Sequence, residues 1–148
     1  MGDIRRGWHN TRVTETWAQI VPLVPAELGR SLLDFAWDPE RLRALDLPVE
    51  LMHVGELAWY LELPLWRDAG RPSRVTPAKV LADPVRYRDQ YRRTLEADLR
   101  YPLDVTRRDG RWTVMDGLHR LAKAVVCEWE VVRVRKVPAS AFDLIAVA

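Results

Sequence analysis

A strand that ends at an Asp-Gly pair and passes directly into a helix limits the folds open to this chain. From Trp112, apolar residues alternate with polar ones up to Asp116 and Gly117, which is typical of a half-buried strand followed by a turn. From Leu118, apolar residues recur at helical spacing as far as Val126. The sequence therefore predicts strand, turn and helix in direct succession.

The start of this helix carries a candidate binding site. His119 and Arg120 fall in its first turn, directly after Gly117. A glycine leaves room for a ligand, the first amides of a helix lack intrahelical acceptors, and basic side chains add positive charge. Together these features indicate a pocket for an anion, above all phosphate. The alternative is ordinary turn and capping chemistry with a solvated His-Arg pair.

The neighbouring segments predict the frame of this site. Residues 101–106 are predicted to form a strand, residues 107–111 a hairpin turn with an Asp-Gly signal, and residues 112–115 the returning strand. After the helix, residues 131–138 alternate apolar and basic side chains, which indicates a further strand. The predicted order is strand, hairpin, strand, Asp-Gly-x-His-Arg, helix, strand.

This order, together with the Asp-Gly-x-His-Arg box at residues 116–120, resembles the ParB/sulfiredoxin superfamily. Members of that family carry a Gly-x-His-Arg or Gly-x-Arg-Arg box between a strand and a helix and bind nucleotide phosphates there. The resemblance runs from Val54 to Val137. It implies an α+β fold, in which a small mixed sheet is flanked by helices. It also implies phosphate contacts for Gly117, Leu118, His119 and Arg120.

The same family places another helix, which starts near an Asp-Pro pair, before the first hairpin strand. A basic residue and a hydroxyl-bearing residue of that helix reach the same phosphates. In this chain Asp83 and Pro84 begin the corresponding helix, and Thr94 lies near its far end. The resemblance therefore implies phosphate contacts for Arg86 and Thr94.

Departures from the family narrow the expected function. Sulfiredoxins carry their nucleophilic cysteine directly before the histidine, where this chain has Leu118, so we expect no sulfinic acid reduction. The only cysteine, Cys127, falls late in the helix on its predicted apolar side, where a free thiol serves as packing material. We also expect no chromosome partitioning of the ParB type, because no helix-turn-helix domain and dimerisation tail follow the box.

Another branch of the superfamily, the free serine kinases, combines an Asp-Gly-His box with an acidic residue from the first strand region. The resemblance to that branch implies a small-molecule kinase that uses ATP and Mg²⁺. Asp116 would hold the metal or accept a proton, and Glu62 would be the second catalytic carboxylate, since phosphoryl transfer needs charge neutralisation and an oriented hydroxyl. Two alternatives stay open: a non-catalytic nucleotide-sensing module that acts on a protein or DNA partner and, third, a nuclease.

Composition indicates the cellular setting. The 148 residues carry a net charge of only +2, which disfavours nucleic acid as the main partner. Whether the protein associates as a homodimer stays open. The sequence has no apolar run long enough for a membrane span or a signal peptide, and one cysteine allows no internal disulfide. We therefore expect a cytoplasmic protein, and the preference for Arg over Lys suggests a bacterial source.

Two regions are expected along the chain. Residues 1–50 are predicted to form a helical extension packed on the core, with helices at residues 14–21, 25–37 and 38–45. Residues 51–148 are predicted to form the nucleotide-binding domain. Of the seven tryptophans, Trp66 is the best candidate to wall the pocket or stack on a base, and we place it at the end of the first strand.

Overall fold

A mixed four-stranded sheet forms the centre of the molecule. The computed structural model describes residues 20–69, 71 and 73–147. The strands of the sheet are β1 (Val49–His53), β4 (Leu103–Arg108), β5 (Arg111–Asp116) and β6 (Val131–Lys136), in the spatial order β1-β6-β4-β5. β6 pairs antiparallel with β1 and parallel with β4, and β4 pairs antiparallel with β5. Two further strands, β2 (Trp66–Arg67) and β3 (Arg74–Val75), make a separate small hairpin.

Several short helices complete an α+β fold. The α-helices are α1 (Ala26–Gly29), α2 (Pro39–Ala44), α3 (Pro77–Ala82), α4 (Arg88–Glu96), α5 (Leu118–Val126) and α6 (Phe142–Ile145). Single turns of 3-10 helix occupy Val21–Leu23, Val54–Glu56 and Ala139–Ala141, and a longer one occupies Ala58–Glu62. The fold class and the mixed sheet with flanking helices are as predicted. No helix of the described residues is both long and apolar enough to cross a membrane.

The β4–β5 hairpin and the helix that follows it agree with the sequence prediction. Asp109 and Gly110 form the turn with φ angles of 50° and 80°, which is the positive-φ pair of a type I′ turn and matches the twist of the flanking strands. After β5, α5 crosses to the far side of β4, and β6 begins at the end of the sheet where β5 finishes, so that β6 lies parallel to β4. The strand predicted at residues 131–138 is β6.

The two faces of the sheet contact different groups of helices. Val114 points into the main core, which α3, α4 and α5 complete, whereas Met115 points into a second core with α2 and α6. Successive strand residues face opposite sides, so one strand contributes to both cores. The side chains of Val105, Val134 and Leu121 are fully buried in the main core, where burying each one contributes roughly 1.5–3 kcal/mol.

The N-terminal region agrees only partly with the prediction. α2 is confirmed, with the Asp38 side chain accepting a hydrogen bond from the Glu40 amide and Pro39 in the first helical position. The long helix predicted at residues 25–37 is wrong, because only Ala26–Gly29 is helical. The adjacent residues Leu32 and Leu33 enter two different cores, and burial of both overrides helical spacing.

Three other segments differ from the prediction or lie outside what can be described. The helix predicted at residues 14–21 falls outside the described residues except for its last two positions. The helix predicted from Asp83 begins only at Arg88, after a turn in which the Asp83 carboxylate accepts from the Arg86 amide. β1 spans residue 50, the expected boundary between extension and domain.

Candidate functional site

A cleft of about 700 Å³ opens at the N-terminus of α5. One wall comes from Tyr60, Leu65 and Trp66, and the opposite wall from the end of α4 and the loop that follows it. The floor is formed by the end of β5 and the first turn of α5. The residues of the floor and the second wall are Arg93, Glu96, Ala97, Asp98, Tyr101, Val114, Met115, Asp116, Gly117, Leu118, His119 and Arg120.

Gly117 makes the strand-to-helix turn possible. Its φ is +108°, a conformation that side chains of L-residues rarely adopt. A β-carbon placed there would lie 2.9 Å from Cγ of Leu103 and 3.2 Å from Nη1 of Arg120. Both the backbone angle and the space therefore require glycine at this position.

The first turn of α5 presents backbone donors to the cleft. Gly117 has no side chain with which to cap the helix, and the first bond into the helix runs from the Leu121 amide to the Gly117 carbonyl over 2.9 Å. The amides of Leu118, His119 and Arg120 precede that bond and have no intrahelical acceptor. These three donors and the positive end of the helix dipole favour an anion at the floor of the cleft.

His119 is held between two side chains from other elements. Its ring stacks on Trp66 with 4.5 Å between ring centroids and 12° between planes. Its Nε2 lies 2.9 Å from Oε1 of Gln90. The Gln90 amide nitrogen donates to the Arg67 carbonyl over 3.3 Å, which fixes the orientation of the amide. Nε2 of His119 therefore carries the proton, and Nδ1 is left as an acceptor.

The charge of His119 differs from the expectation. Burial, and secondly the Arg93 guanidinium, lower the pKa of His119 from 6.5 to about 4. The ring is therefore neutral at pH 7, and of the two basic side chains at this helix start Arg120 is the one that carries a positive charge. A phosphate in the cleft would meet the backbone amide of His119 and not a charged imidazolium.

Arg120 supplies positive charge, but its guanidinium is already engaged. Nη1 donates to the Pro102 carbonyl over 2.8 Å, and Nη2 lies 3.8 Å from Oδ2 of Asp116. The Arg120 side chain is 24% exposed and that of Asp116 is 48% exposed. The pair lies at the edge of the cleft, where Asp116 keeps carboxylate surface open to a ligand or a metal ion.

A buried carboxylate lies behind this pair. Asp104 stands opposite Asp116 across the β4–β5 ladder, at a break in its register. Burial raises the pKa of Asp104, with a smaller rise from the charge of Asp116, against the opposing effect of Arg135. Arg135 Nε donates to Asp104 over 2.7 Å and its other nitrogens donate to the carbonyls of Leu42 and Leu45. Arg135 thus joins the sheet to the end of α2, and Asp104 is its carboxylate partner.

The second wall mixes charges of both signs. Arg93 brings a positive charge, while Glu96 and Asp98 bring carboxylates. Hydrogen bonds from the Arg100 guanidinium, and secondly one from the Arg100 backbone amide, lower the pKa of the exposed Asp98 to about 2. With Arg120 and Asp116, the lining carries two guanidinium groups and three carboxylates. Such a lining fits a ligand that carries negative charge together with a cation better than it fits a bare anion.

Three of the predicted site residues do not line this cleft. Glu62 is exposed at the end of the 3-10 helix Ala58–Glu62. Arg86 is exposed beside a smaller pocket of about 200 Å³ near Arg67. Thr94 is buried, and its hydroxyl donates to the Gln90 carbonyl over 3.0 Å. The structure brings together the other predicted residues: Asp116, Gly117, Leu118, His119 and Arg120.

The resemblance placed the helix before β4 at the phosphates through Arg86 and Thr94, and it missed the α4 residues that lie near the site, Gln90 and Arg93. Gln90 and Arg93 lie three residues apart, and this spacing predicts that their side chains share one face of a helix. Nothing in the sequence showed that this face points at His119. Trp66 was chosen as a wall residue, but it begins β2 of the small hairpin instead of ending the first strand.

Two further expectations concern metal ions and the cysteine. Within the described residues, His, Cys, Asp and Glu side chains form no group of three or more that could hold a metal ion. Cys127 is exposed at the end of α5, so its predicted place on the apolar side of the helix is wrong. It does not line the cleft, and its lack of a role there stays a prediction.

No protein-family model, no curated protein and no solved structure matches this chain.

Proposed function

We propose that the protein binds a nucleotide through its phosphates at the N-terminus of α5, in a ParB/sulfiredoxin-like arrangement. The observation that carries the proposal is Gly117, whose positive φ and lack of space for a side chain bring three helix amides to the floor of the cleft. The volume of about 700 Å³ falls in the usual range of small-molecule sites.

We further propose that the bound nucleotide is ATP and that its terminal phosphoryl group passes to a small hydroxylated acceptor. The P–O bond to the leaving ADP breaks, a new P–O bond forms to the acceptor oxygen, and the hydroxyl proton passes to a carboxylate. Asp116 is the candidate for that role, because it ends β5 directly before Gly117 and keeps about half of its side chain exposed. Arg120 stabilises the charge that develops on the phosphoryl oxygens.

Mg²⁺ fits this arrangement without a dedicated cage. In phosphoryl-transfer sites it is bound through one or two carboxylates, with phosphate oxygens and water completing the shell. Asp116 offers one such carboxylate, and Glu96 lines the same cleft. A bound Mg²⁺ would neutralise part of the phosphate charge, with Asp116 as its carboxylate ligand.

Nucleotide sensing without turnover is the second candidate. It is favoured by the position of Glu62, since the carboxylate expected to complete the catalytic pair is exposed outside the cleft. Such a module would bind the nucleotide with the same floor and signal to a protein or DNA partner. A nuclease is less favoured, because the described residues include no cluster of metal-binding acids.

Calorimetric titration with ATP and ADP, with and without Mg²⁺, tests the binding step. Arg120→Ala removes a charged donor from the cleft and should weaken nucleotide binding at least about tenfold. Arg107→Ala is the control, because Arg107 is exposed on β4 and does not line the cleft. Unchanged affinity in Arg120→Ala, or no nucleotide binding by the wild-type protein, would contradict the proposal.

Release of ADP across a panel of amino acids, sugars and nucleosides tests the transfer step. Asp116→Asn keeps the size of the side chain and removes its charge, so turnover and the effect of Mg²⁺ on binding should fall while nucleotide binding persists. If the wild-type protein binds nucleotide but releases no ADP with any acceptor, the sensing function replaces the transferase. If Asp116→Asn turns over like the wild type, the role of this carboxylate is wrong.

A further inference from the structure

The two edges of the central sheet differ in what covers them. Beside β5, the Thr113 hydroxyl donates to the Ser31 carbonyl, and Nε1 of Trp59 donates to the Trp112 carbonyl over 3.0 Å. The segment after α1 and the 3-10 helix that contains Trp59 thus cover that edge. β1 is the outermost strand on the other side and pairs only with β6 among the described residues.

Among the described residues, every second residue of β1 has backbone groups without a partner. The Val54 amide donates to the Glu130 carbonyl over 2.9 Å, one position beyond the pairing of His53 with Val131. Groups in an antiparallel ladder alternate in direction. Residues 50 and 52 therefore bond to β6, whereas the amides and carbonyls of Val49, Leu51 and His53 point away from the sheet.

The side chains of Val49 and Leu51 make the same edge partly apolar. Val49 and Leu51 are 55% and 67% exposed, although strand residues of this kind are usually covered. Trp129 and Val131 are exposed at the start of the neighbouring strand, at 47% and 37%. Leu51, Trp129 and Val131 line one surface together with the exposed Arg133, which stands opposite Leu51, so the apolar surface along the open edge includes one guanidinium group.

Charge on the edge does not oppose contact between two copies. The only charged residue of β1 is Glu50, which alternates to the other face and lies 3.4 Å from Nζ of Lys136. On the face of Val49 and Leu51, Arg135 and Arg133 of β6 stand opposite these two residues. They lie one strand in from the edge, so their counterparts in a second copy would be about three strand spacings, roughly 14 Å, away. β1 contains no lysine, proline or bulge, which are three of the devices that protect an edge strand from pairing. It is short, and it carries one charge, Glu50, on the side of the buried Met52. Pro48 directly precedes the strand and, since it has no amide hydrogen, limits any added ladder to residues 49–53.

We propose that β1 pairs antiparallel with β1 of a second copy of this chain, around a twofold axis at Leu51. In this register Leu51 faces Leu51 of the other copy, and Val49 faces His53. In this register, residue 51 exchanges both of its backbone hydrogen bonds with residue 51 of the other copy, and residue 49 does so with residue 53. Because the outward residues 49, 51 and 53 are symmetric about residue 51, the strand is complementary to itself. The product is a continuous eight-stranded sheet. None of the β1 residues lines the cleft, so both clefts stay open.

Molecular mass as a function of protein concentration, measured by analytical ultracentrifugation, tests the pairing. The wild-type protein should show the mass of two chains. Leu51→Lys places two ammonium groups side by side at the axis and removes two apolar contacts, so the dissociation constant should rise roughly a hundredfold. Leu144→Lys is the matched control, because Leu144 is 65% exposed on α6 and should leave the dimer intact.

A second pair of variants distinguishes backbone pairing from side-chain contact. The φ of His53 is −63°, the angle of proline, and its amide points away from β6, so His53→Pro should fold normally. It removes two edge hydrogen bonds per dimer and should weaken association roughly tenfold. His53→Ala loses the same imidazole but keeps the amide, and should associate like the wild type.

Each outcome decides the proposal. A wild-type protein that stays monomeric up to about 1 mM, a dissociation constant too weak for a specific dimer, overturns it. A wild-type dimer that is unaffected by Leu51→Lys overturns it as well, because its interface then lies elsewhere. A dimer weakened by Leu51→Lys but not by His53→Pro contradicts edge pairing, since only the apolar surface along the edge would then be in contact.

Discussion

The two ends of α5 are built in opposite ways, although both use a residue with positive φ. At the N-terminus, Gly117 has a φ of +108° and leaves the first amides of the helix without a cap. At the C-terminus, Glu128 has a φ of +58°, its amide donates to the Val125 carbonyl, and the Trp129 amide donates to the Ala124 carbonyl. This pair of hydrogen bonds is a Schellman motif, in which carbonyls of the last helical turn accept from residues just beyond the helix.

The difference separates a structural helix end from an end that is open to a ligand. At the C-terminal end, the carbonyls of Lys123, Ala124 and Val125 accept hydrogen bonds from the residues that follow the helix. At the N-terminal end, the first three backbone amides of the helix have no intrahelical acceptor. This end faces a cleft lined by charged and aromatic side chains. Three predictions test this contrast, and they are ordered by the size of the expected effect.

Gly117→Ala should have the largest effect on stability. The substitution combines an unfavourable φ with a β-carbon 2.9 Å from Leu103 Cγ, so the free energy of unfolding should fall by about 2–4 kcal/mol. Gly29→Ala is the control, because a β-carbon there meets nothing within 4 Å, and it should be neutral or stabilising by up to about 1 kcal/mol. Urea unfolding measures both, and equal effects would contradict the steric requirement at Gly117.

The neutral state of His119 should appear in the pH dependence of stability. The folded pKa is about 4, below the ordinary value of 6.5, so the unfolded chain binds a proton first as the pH falls. The contribution of neutral His119 is complete above about pH 6.5 and is lost progressively as the pH falls towards 4.

His119→Phe checks this sign, because a phenyl ring keeps the stack on Trp66 and takes no proton. The free energy of unfolding should be measured between pH 6.5 and pH 5, above the range in which most carboxylates titrate. Over this range it should fall less steeply with falling pH for His119→Phe than for the wild type. His53→Ala, an exposed histidine on β1, serves as the control and should keep the wild-type slope. An unchanged slope in His119→Phe would show that the buried imidazole is not the source.

Glu128→Gly should give the smallest effect and the opposite sign to Gly117→Ala. Glycine relieves the left-handed conformation at the Schellman position, at the expense of a more flexible unfolded chain, so we expect a gain of about 0.5–1 kcal/mol. Glu128→Ala keeps a β-carbon and should give no such gain. Nucleotide affinity should not change in either variant, since Glu128 does not line the cleft. Destabilisation by glycine in urea unfolding would show that the Glu128 side chain itself holds this end.

Features within a few consecutive residues were determined by the sequence itself. The Asp109-Gly110 pair predicted the hairpin turn, Asp38 and Pro39 predicted the start of α2, and Gly117 predicted the passage from strand to helix. In each case the backbone angle or cap is a property of the residue type, so no distant contact is needed to specify it.

Only the tertiary structure decided what depends on contacts between distant segments. His119 is neutral because Trp66, Gln90 and Arg93 reach it from β2 and α4 and remove it from water. Residues 30–37 leave the helical pattern because Leu32 and Leu33 are buried in separate cores. The open edge at β1 follows from the order of strands in the sheet. Burial and neighbouring charge depend on packing between segments far apart in the chain, which local periodicity does not encode.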